Sequence, residues 1–203
     1  MAGAITLLPE GVEPPTEPAS RALDDAALSQ LLGELPQRPL AADAKEGIRL
    51  SLAGAQPKVP VIIDDDGRMA LPTNSAAPTT HILKPQPARF PGLVDNEAFC
   101  RALARACELS VAPVRKSSAA SGVPFLVVER YDRDLTTDPI RRLHQEDFCQ
   151  ALGLPAERKY RQEGGPTVAQ SAELLRSCTP VPARGLPRAD DPAGHEHRRR
   201  ARA

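Results

Sequence analysis

The spacing of apolar residues changes along the chain, and each change predicts a different kind of structure. The segment LSQLLGEL has apolar residues at helical spacing, and Asp24 or Asp25 can cap the helix that it predicts. From residue 47 to about residue 130, short apolar and β-branched runs alternate with turn residues, which is typical of strands. The spacing then becomes helical again, in QEDFCQALGL and VAQSAELLRS, and disappears beyond Ser177.

The strand-rich part and the front of the chain contain several short predicted strands. In chain order these strands are GAITLLPEG, IRLSL, VPVIID, RMALP, THILKP, APVRKSSAA and VPFLVVERYD. An Asp66-Gly67 pair between VPVIID and RMALP predicts a hairpin, because this pair favours the tight turns that join antiparallel strands. The proline-rich segment EPPTEPAS after the first strand is predicted to be a linker.

The segment DNEAFCRALARACEL is the best predicted helix of the chain, and Asp95 can act as its cap. Its apolar residues are predicted to form one stripe that packs on the sheet: Phe99, Ala102, Leu103, Ala106 and Leu109. An antiparallel sheet with one long helix across it is an α+β arrangement, which is the fold class we predict.

Composition narrows the functional classes that this chain can serve. Proline accounts for 22 of 203 residues, so we expect an ordered core that is smaller than the length suggests. The net charge is zero, which gives no global basic field for nucleic acid, and the terminal RRRARA is short enough to be simply solvated. Four cysteines without C-x-x-C spacing and the lack of a long apolar run predict a cytoplasmic protein with reduced thiols and no membrane contact.

Three features of the strand-rich part can together form a nucleotide site. The loop SLAGAQPK, residues 51–58, has small residues whose backbone N–H groups could face an anion, and Lys58 adds a charge. Lys84 ends a strand that is otherwise apolar, where a lysine is costly unless it is exposed or paired. Glu97 lies near the start of the following helix, so a helix packed on the sheet could bring its carboxylate to Lys84.

A glycine-containing hairpin loop, a strand lysine and a helix glutamate form the layout of a protein-kinase N-lobe. VPFLVVERYD would then be the hinge strand, with backbone groups from Glu129 to Tyr131 facing the adenine. The residues alone leave two alternatives open. The loop could be a simple turn, and Lys84 with Glu97 could be a surface ion pair of little consequence.

Several segments taken in order carry a resemblance to a known family. These segments are SLAGAQPK, PTTHILKP, VDNEAFCRALARACEL, FLVVERYDR, LHQEDFCQALGLP and KYRQEGGP. Together they resemble the HipA family, bacterial serine/threonine kinases that act as toxins of type II toxin–antitoxin systems. The resemblance covers about residues 47–176 and implies a HipA-like N-lobe with an antiparallel sheet and one long helix, followed by the start of a helical C-lobe.

The resemblance also implies roles for individual residues. The implied nucleotide-binding residues are Ala53, Gly54, Ala55, Gln56, Lys58, Lys84, Glu129, Arg130 and Tyr131. Glu97 would hold Lys84, and Ser51 matches the serine whose autophosphorylation inactivates kinases of this family. Pro57 stands where a polar residue is more usual, and its missing N–H removes one potential phosphate donor.

The same resemblance divides the chain into four expected parts. These are a remnant of the N-terminal subdomain with a linker (1–46), a nucleotide-binding N-lobe (47–135), the beginning of the C-lobe (136–176) and a disordered tail (177–203). The family's D-x-H-x-K-N-like catalytic loop and its metal-binding aspartate do not occur in these 203 residues. We therefore expect no catalytic or metal-binding residue here. The Arg-, Ala- and Pro-rich tail leads to the hypothesis of a truncated or frameshifted gene.

At family level, the resemblance implies a kinase that uses ATP and Mg²⁺ to phosphorylate a protein substrate, such as an aminoacyl-tRNA synthetase. A HipB-like DNA-binding antitoxin would be its partner. We expect this chain to bind ATP without transferring phosphate. Two alternatives stay open: a non-catalytic fragment that binds antitoxin or nucleotide, and an unstable pseudogene product.

Overall fold

A computed structural model describes residue 8, residues 10–37 and residues 56–178 of the chain. The chain divides into two compact units, of which the first ends at Gln145 and the second begins at Glu146. The predicted strand IRLSL and nearly all of the residues predicted as the tail lie outside the described residues, as does most of GAITLLPEG.

The first unit is built on one six-stranded sheet in which every neighbouring pair is antiparallel. Its strands are β1 (Ser20–Leu23), β2 (Val59–Ile63), β3 (Met69–Pro72), β4 (His81–Pro85), β5 (Val114–Ser118) and β6 (Pro124–Glu129). Their order across the sheet is β1-β3-β2-β4-β6-β5. Two helices, α1 (Asp25–Glu34) and α2 (Leu93–Ala106), and a 3₁₀ turn at Leu35–Gln37 complete its main elements. The antiparallel α+β prediction is therefore confirmed.

The alternation of side chains along β6 gives the sheet two buried faces. Phe125 and Val127 belong to the larger apolar cluster, which also contains the buried leucines of α1. Leu126 and Val128 point the other way, because successive strand residues face opposite sides, and they pack with Val94 of α2. A strand covered on both faces is apolar at every position, which is why FLVV is a continuous apolar run.

Two short sequence signals form the structures predicted for them, a hairpin turn and a helix cap. The Asp66-Gly67 turn joins β2 to β3, with Gly67 at φ 80°, and its N–H donates to the carbonyl of Asp64 at 2.9 Å. The side chain of Asp64 accepts from the N–H groups of Asp66 and Arg68 at 3.0 and 2.8 Å, which closes the turn. Asp24 is the N-cap of α1, since it accepts from the N–H of Ala27 at 2.8 Å.

The strand β1 was not predicted. The linker EPPTEPAS was expected to run as a loop, but its last residue, Ser20, begins a strand that pairs with β3 from Pro72 to Met69. This strand is only 4 residues long and mostly exposed. It therefore carries no apolar alternation, and its pairing with β3 comes from residues about fifty positions away.

The orientation predicted for α2 is wrong in two respects. The helix begins at Leu93 after Gly92, which has φ 79°, so Asp95 lies within the first turn and is not the cap. The predicted apolar stripe faces outward: Phe99 and Leu103 are 65% and 52% exposed. Val94 is buried against the sheet instead. The same face of α2 also carries charged residues, and these are paired there.

A small two-stranded ribbon, β7 (Arg133–Asp134) with β8 (Arg141–Arg142), follows the sheet in the first unit. The second unit contains α3 (Phe148–Ala151), two 3₁₀ turns and α4 (Val168–Cys178). QEDFCQALGL therefore forms only one helical turn, which begins with a capping box between Asp147 and Gln150. No helix in the described part of the chain is long and apolar enough to cross a membrane.

Candidate nucleotide-binding site

Lys84 lies in the middle of the sheet, on the face that α2 covers. It is paired in register with Leu126, while its neighbour Leu83 is paired with Val127 and is fully buried in the opposite cluster. Because adjacent strand residues face opposite sides, the side chain of Lys84 must point towards α2. The sheet register therefore determines which helix can supply its partner.

Glu97 of α2 supplies that partner. The Nζ atom of Lys84 donates to Oε1 of Glu97 at 2.7 Å, and the two side chains are only 17% and 20% exposed. A surface ion pair is flexible and screened by water, whereas this pair is held between a sheet and a helix. The structure thus brings together the two residues that the sequence selected, and it does so below the surface.

Arg101 is a second cation on the same carboxylate, and sequence reasoning missed it. Its Nη2 and Nε atoms donate to Oε1 of Glu97 at 3.0 and 3.2 Å. Burial raises the pKa of Glu97, but the hydrogen bonds and charges of Lys84 and Arg101 outweigh burial and hold it below the ordinary value. Glu97 is thus an ionised carboxylate in a partly buried position. Its spacing of four residues from Arg101 on one helix was the available signal.

The described end of the predicted phosphate loop leads into the same region. Gln56, Pro57 and Lys58 immediately precede β2, and Val59, its first residue, pairs with Leu83 beside Lys84. Continuing this antiparallel register by one residue places Lys58 opposite Lys84. Lys58 and Lys84 therefore lie at the same end of two neighbouring strands. The other predicted loop residues, Ser51, Ala53, Gly54 and Ala55, lie outside the described residues.

The predicted hinge follows the end of β6. The N–H of Glu129 donates to the carbonyl of Pro113 at 3.0 Å, and the N–H of Arg130 donates to the carbonyl of Thr80 at 2.9 Å. Both donors are therefore already used within the protein. Tyr131 is 73% exposed and lies just beyond them.

Arg130 has a structural side chain. Its guanidinium is 1% exposed and donates to both carboxylate oxygens of Asp132 at 2.9 and 2.6 Å, and to the hydroxyl of Thr79 at 2.9 Å. A side chain held in this way does not contact a ligand. Any contact of Arg130 with a nucleotide would therefore come from its backbone.

Arg133 extends this buried cluster. Its guanidinium donates to Asp132 Oδ2 at 2.9 Å and to the carbonyl of Thr79 at 3.1 Å. Burial, together with the neighbouring charges of Arg130 and Arg142, lowers the pKa of Arg133 to about 10, although Asp132 opposes the shift. The RYDR sequence directly after a buried strand was the only signal for this cluster. Its effect is to tie the segment after β6 to the residues before β4.

Metal ligation finds no support in the residues that the structure describes. Within residues 10–37 and 56–178, no group of three or more His, Cys, Asp or Glu side chains lies close enough together to hold a metal ion. All four cysteines are free thiols.

Comparison with known families decides how this arrangement is to be interpreted. The family model described as the HipA-like C-terminal domain matches residues 50–189. The chain belongs to this family. The match includes β2 to β6 and α2, which carry Lys84 and Glu97, as well as the predicted hinge.

Two curated relatives of this HipA-like chain are kinases by name. The putative kinase Y4mE of Sinorhizobium fredii is 54% identical over 190 residues, which covers 90% of this chain and 44% of that protein. The serine/threonine-protein kinase toxin HipA of Shewanella oneidensis is 32% identical over 167 residues, covering 81% of this chain and 37% of that protein. The chain thus spans less than half the length of these relatives.

A solved structure shares the fold. It is the Shewanella oneidensis toxin–antitoxin complex of HipA, HipB and operator DNA. The similarity has a TM-score of 0.60 and 29% sequence identity, and it covers 84% of this chain and 39% of the matched chain in that complex. The HipA-like fold predicted from the sequence is therefore confirmed.

Proposed function

We propose that this chain binds ATP as the nucleotide-binding part of a HipA-like serine/threonine kinase. The observation that carries the proposal is the partly buried Lys84–Glu97 pair at 2.7 Å, beside the strand that follows Lys58. In kinases, a strand lysine held by a helix glutamate contacts the nucleotide phosphates. Membership in the HipA-like family supports this interpretation of the pair.

Each part of the proposed site has a separate task. Lys84 donates hydrogen bonds to phosphate oxygens, and Glu97 holds its ammonium group in position. Lys58 and the loop from Ser51 to Gln56 add charge and backbone donors around the same phosphates. The adenine lies at the other end of β4, against the backbone from Glu129 to Tyr131.

We further propose that the 203-residue chain binds ATP without transferring its phosphate. The sequence contains no D-x-H-x-K-N-like stretch, and the described residues offer no group of metal ligands. Phosphoryl transfer needs a residue that orients the substrate hydroxyl and ligands that hold Mg²⁺ on the phosphates. Mg²⁺ would enter bound to the nucleotide.

The proposed partner of the protein is a HipB-like DNA-binding antitoxin, in the cytoplasm. The structural relative is named as a complex of HipA with HipB and operator DNA, which supports a partner of this kind. The free thiols agree with a reducing compartment. The substrate proposed for the family is a protein such as an aminoacyl-tRNA synthetase. Only a kinase that transfers phosphate would phosphorylate it.

Thermal unfolding of the purified chain with and without ATP, in the presence and absence of Mg²⁺, tests the proposal. We expect ATP to raise the midpoint, and Lys84→Met to abolish most of the shift. Lys116→Met is the matched control, because Lys116 is a lysine on β5 whose side chain is 55% exposed.

Three outcomes would count against parts of the proposal. If wild type and Lys84→Met respond equally to ATP, Lys84 does not bind phosphate. If the chain shows no cooperative unfolding at all, the unstable-product alternative gains support. Transfer of radiolabelled γ-phosphate to Ser51 or to a partner would disprove the proposed inactivity.

A further inference from the structure

A single oxygen of Glu97 receives hydrogen bonds from two different cations. Lys84 Nζ lies 2.7 Å from Oε1, and Arg101 Nη2 and Nε lie 3.0 and 3.2 Å from the same atom. An isolated pair would let the lysine ammonium neutralise the carboxylate. Here the carboxylate is shared, so the local charge of the three groups is +1. That excess positive charge is shared by Lys84 and Arg101 and lies beside the proposed anion site.

Arg101 is itself held from a second direction. Its Nη1 atom donates to the carbonyl of Ala112 at 3.4 Å, and its side chain is 26% exposed. Ala112 lies just before β5, so the guanidinium connects α2 to the segment that enters the sheet edge. A planar guanidinium with contacts on two sides has little freedom to rotate. It therefore fixes the carboxylate that it contacts.

Within the described part of the chain, the charged groups that bond Glu97 are Lys84 from β4 and Arg101 from its own helix. On β5, the neighbouring Lys116 is paired with Asp95 instead. Removal of Arg101 would thus leave Glu97 with one cation and with an unopposed part of its burial cost.

We propose that Arg101 is a positioning residue, which holds the Glu97 carboxylate ionised and in place so that Lys84 can offer its charge to a phosphate. Arg101 does not contact the nucleotide. It acts through Glu97 by sharing Oε1 with Lys84 and by bonding the carbonyl of Ala112. This inference rests on the proposed ATP site, but its central claim concerns Glu97 and can be measured without nucleotide.

The first experiment is a ¹³C NMR titration of the Glu97 carboxyl group in the full chain without nucleotide, with Glu97→Gln to assign the signal. We expect Arg101→Met to raise the titration midpoint of Glu97, because the burial cost stays while one cation is lost. Arg101→Lys keeps a charge and should restore part of the shift. Arg105→Met is the matched control, since Arg105 lies one turn later on α2 with an exposed side chain.

The second experiment measures ATP affinity by calorimetry for the same variants between about pH 3.5 and 8, because the pKa of Glu97 lies below its ordinary value in the wild type. We expect Arg101→Met to weaken binding on the order of tenfold, as loss of an orienting residue does at metal sites. Its acid limb, where binding is lost as Glu97 becomes protonated, should move to higher pH. A residue needed only for folding would weaken binding equally at all pH values.

The two experiments separate the failures. If wild type binds no ATP, the proposed function is wrong, and the NMR titration still decides the role of Arg101. If Arg101→Met leaves the Glu97 midpoint at its wild-type value, the inference is overturned even when ATP binds. A midpoint that moves equally in Arg105→Met would also overturn it.

Discussion

Lys84→Met and Glu97→Gln, made singly and together, should have unequal effects on the free energy of unfolding. Glu97 accepts from Lys84 at 2.7 Å and from Arg101 at 3.0 Å. Without Lys84, the carboxylate keeps Arg101 as its partner. Without Glu97, the two cations face each other with no carboxylate between them. We therefore expect Glu97→Gln to destabilise the protein more than Lys84→Met does.

The size of the effect follows from the burial of the pair. A hydrogen bond to a charged group contributes about 1.5–3 kcal/mol, and breaking a fully buried ion pair costs about 3–5 kcal/mol. Lys84 and Glu97 retain 17% and 20% exposure, so their values should lie below the fully buried limit. We expect about 1–2 kcal/mol for Lys84→Met, about 2–4 kcal/mol for Glu97→Gln and a coupling energy of about 1–2 kcal/mol.

Urea unfolding followed by far-UV circular dichroism is the suitable assay, because the chain contains no tryptophan. The exposed pair of Lys116 and Asp95, at 55% and 67%, is the matched control, and its coupling energy should be below about 1 kcal/mol. Salt at about 1 M should abolish the control coupling and leave most of the coupling between Lys84 and Glu97. A Lys84–Glu97 coupling no larger than the control, or equal costs for the two single substitutions, would refute the reasoning.

Three further predictions concern other parts of the first unit. Burial lowers the pKa of His81 below 6.5, so the unfolded chain binds the proton more readily than the folded chain does. The free energy of unfolding should therefore fall as the pH drops from 6.5 through the folded pKa. His81→Gln should remove this pH dependence in urea titrations at several pH values. Asp132→Asn leaves buried guanidiniums without their shared carboxylate charge and should cost about 3–5 kcal/mol in thermal unfolding. Asp134→Asn, which changes a carboxylate on the ribbon whose arginine partner is 67% exposed, should cost clearly less. Gly67→Ala places a side chain at φ 80° and should cost about 1–2 kcal/mol by urea unfolding, without altering the ATP shift.

The sheet was largely predictable because its signals are local. The Asp66-Gly67 turn fixes the β2–β3 hairpin, and the apolar run of β6 marks a strand covered on both faces. β1 had no such signal, since SRAL is short and exposed and becomes a strand only by pairing with β3. Pairing between distant segments is not encoded in the periodicity of either segment.

The orientation of α2 shows a second limit. Apolar periodicity selected the face with Phe99 and Leu103, and that face is exposed. The face that packs on the sheet carries Glu97 and Arg101, whose charges are satisfied by Lys84 and by the carbonyl of Ala112. A hydrophobicity pattern scores such residues as outward-facing because their partners are not part of the pattern. The Lys84–Glu97 prediction succeeded because it treated the buried lysine as a charge that needed a partner.

Two clusters of charged side chains contact opposite ends of β4: one contains Asp132 and its arginines, and the other contains Glu97. Before the strand, Thr79 accepts from the guanidiniums of Arg130 and Arg133, and Thr80 accepts from the Arg130 N–H. Near its other end, Lys84 is held by Glu97. Thr80 and Lys84 are four residues apart, or about 13 Å along an extended strand. One short strand thus fixes the distance between the proposed adenine and phosphate contacts. We therefore predict that Asp132→Asn weakens ATP binding measured by calorimetry, although the proposed nucleotide contacts include no arginine side chain of that cluster.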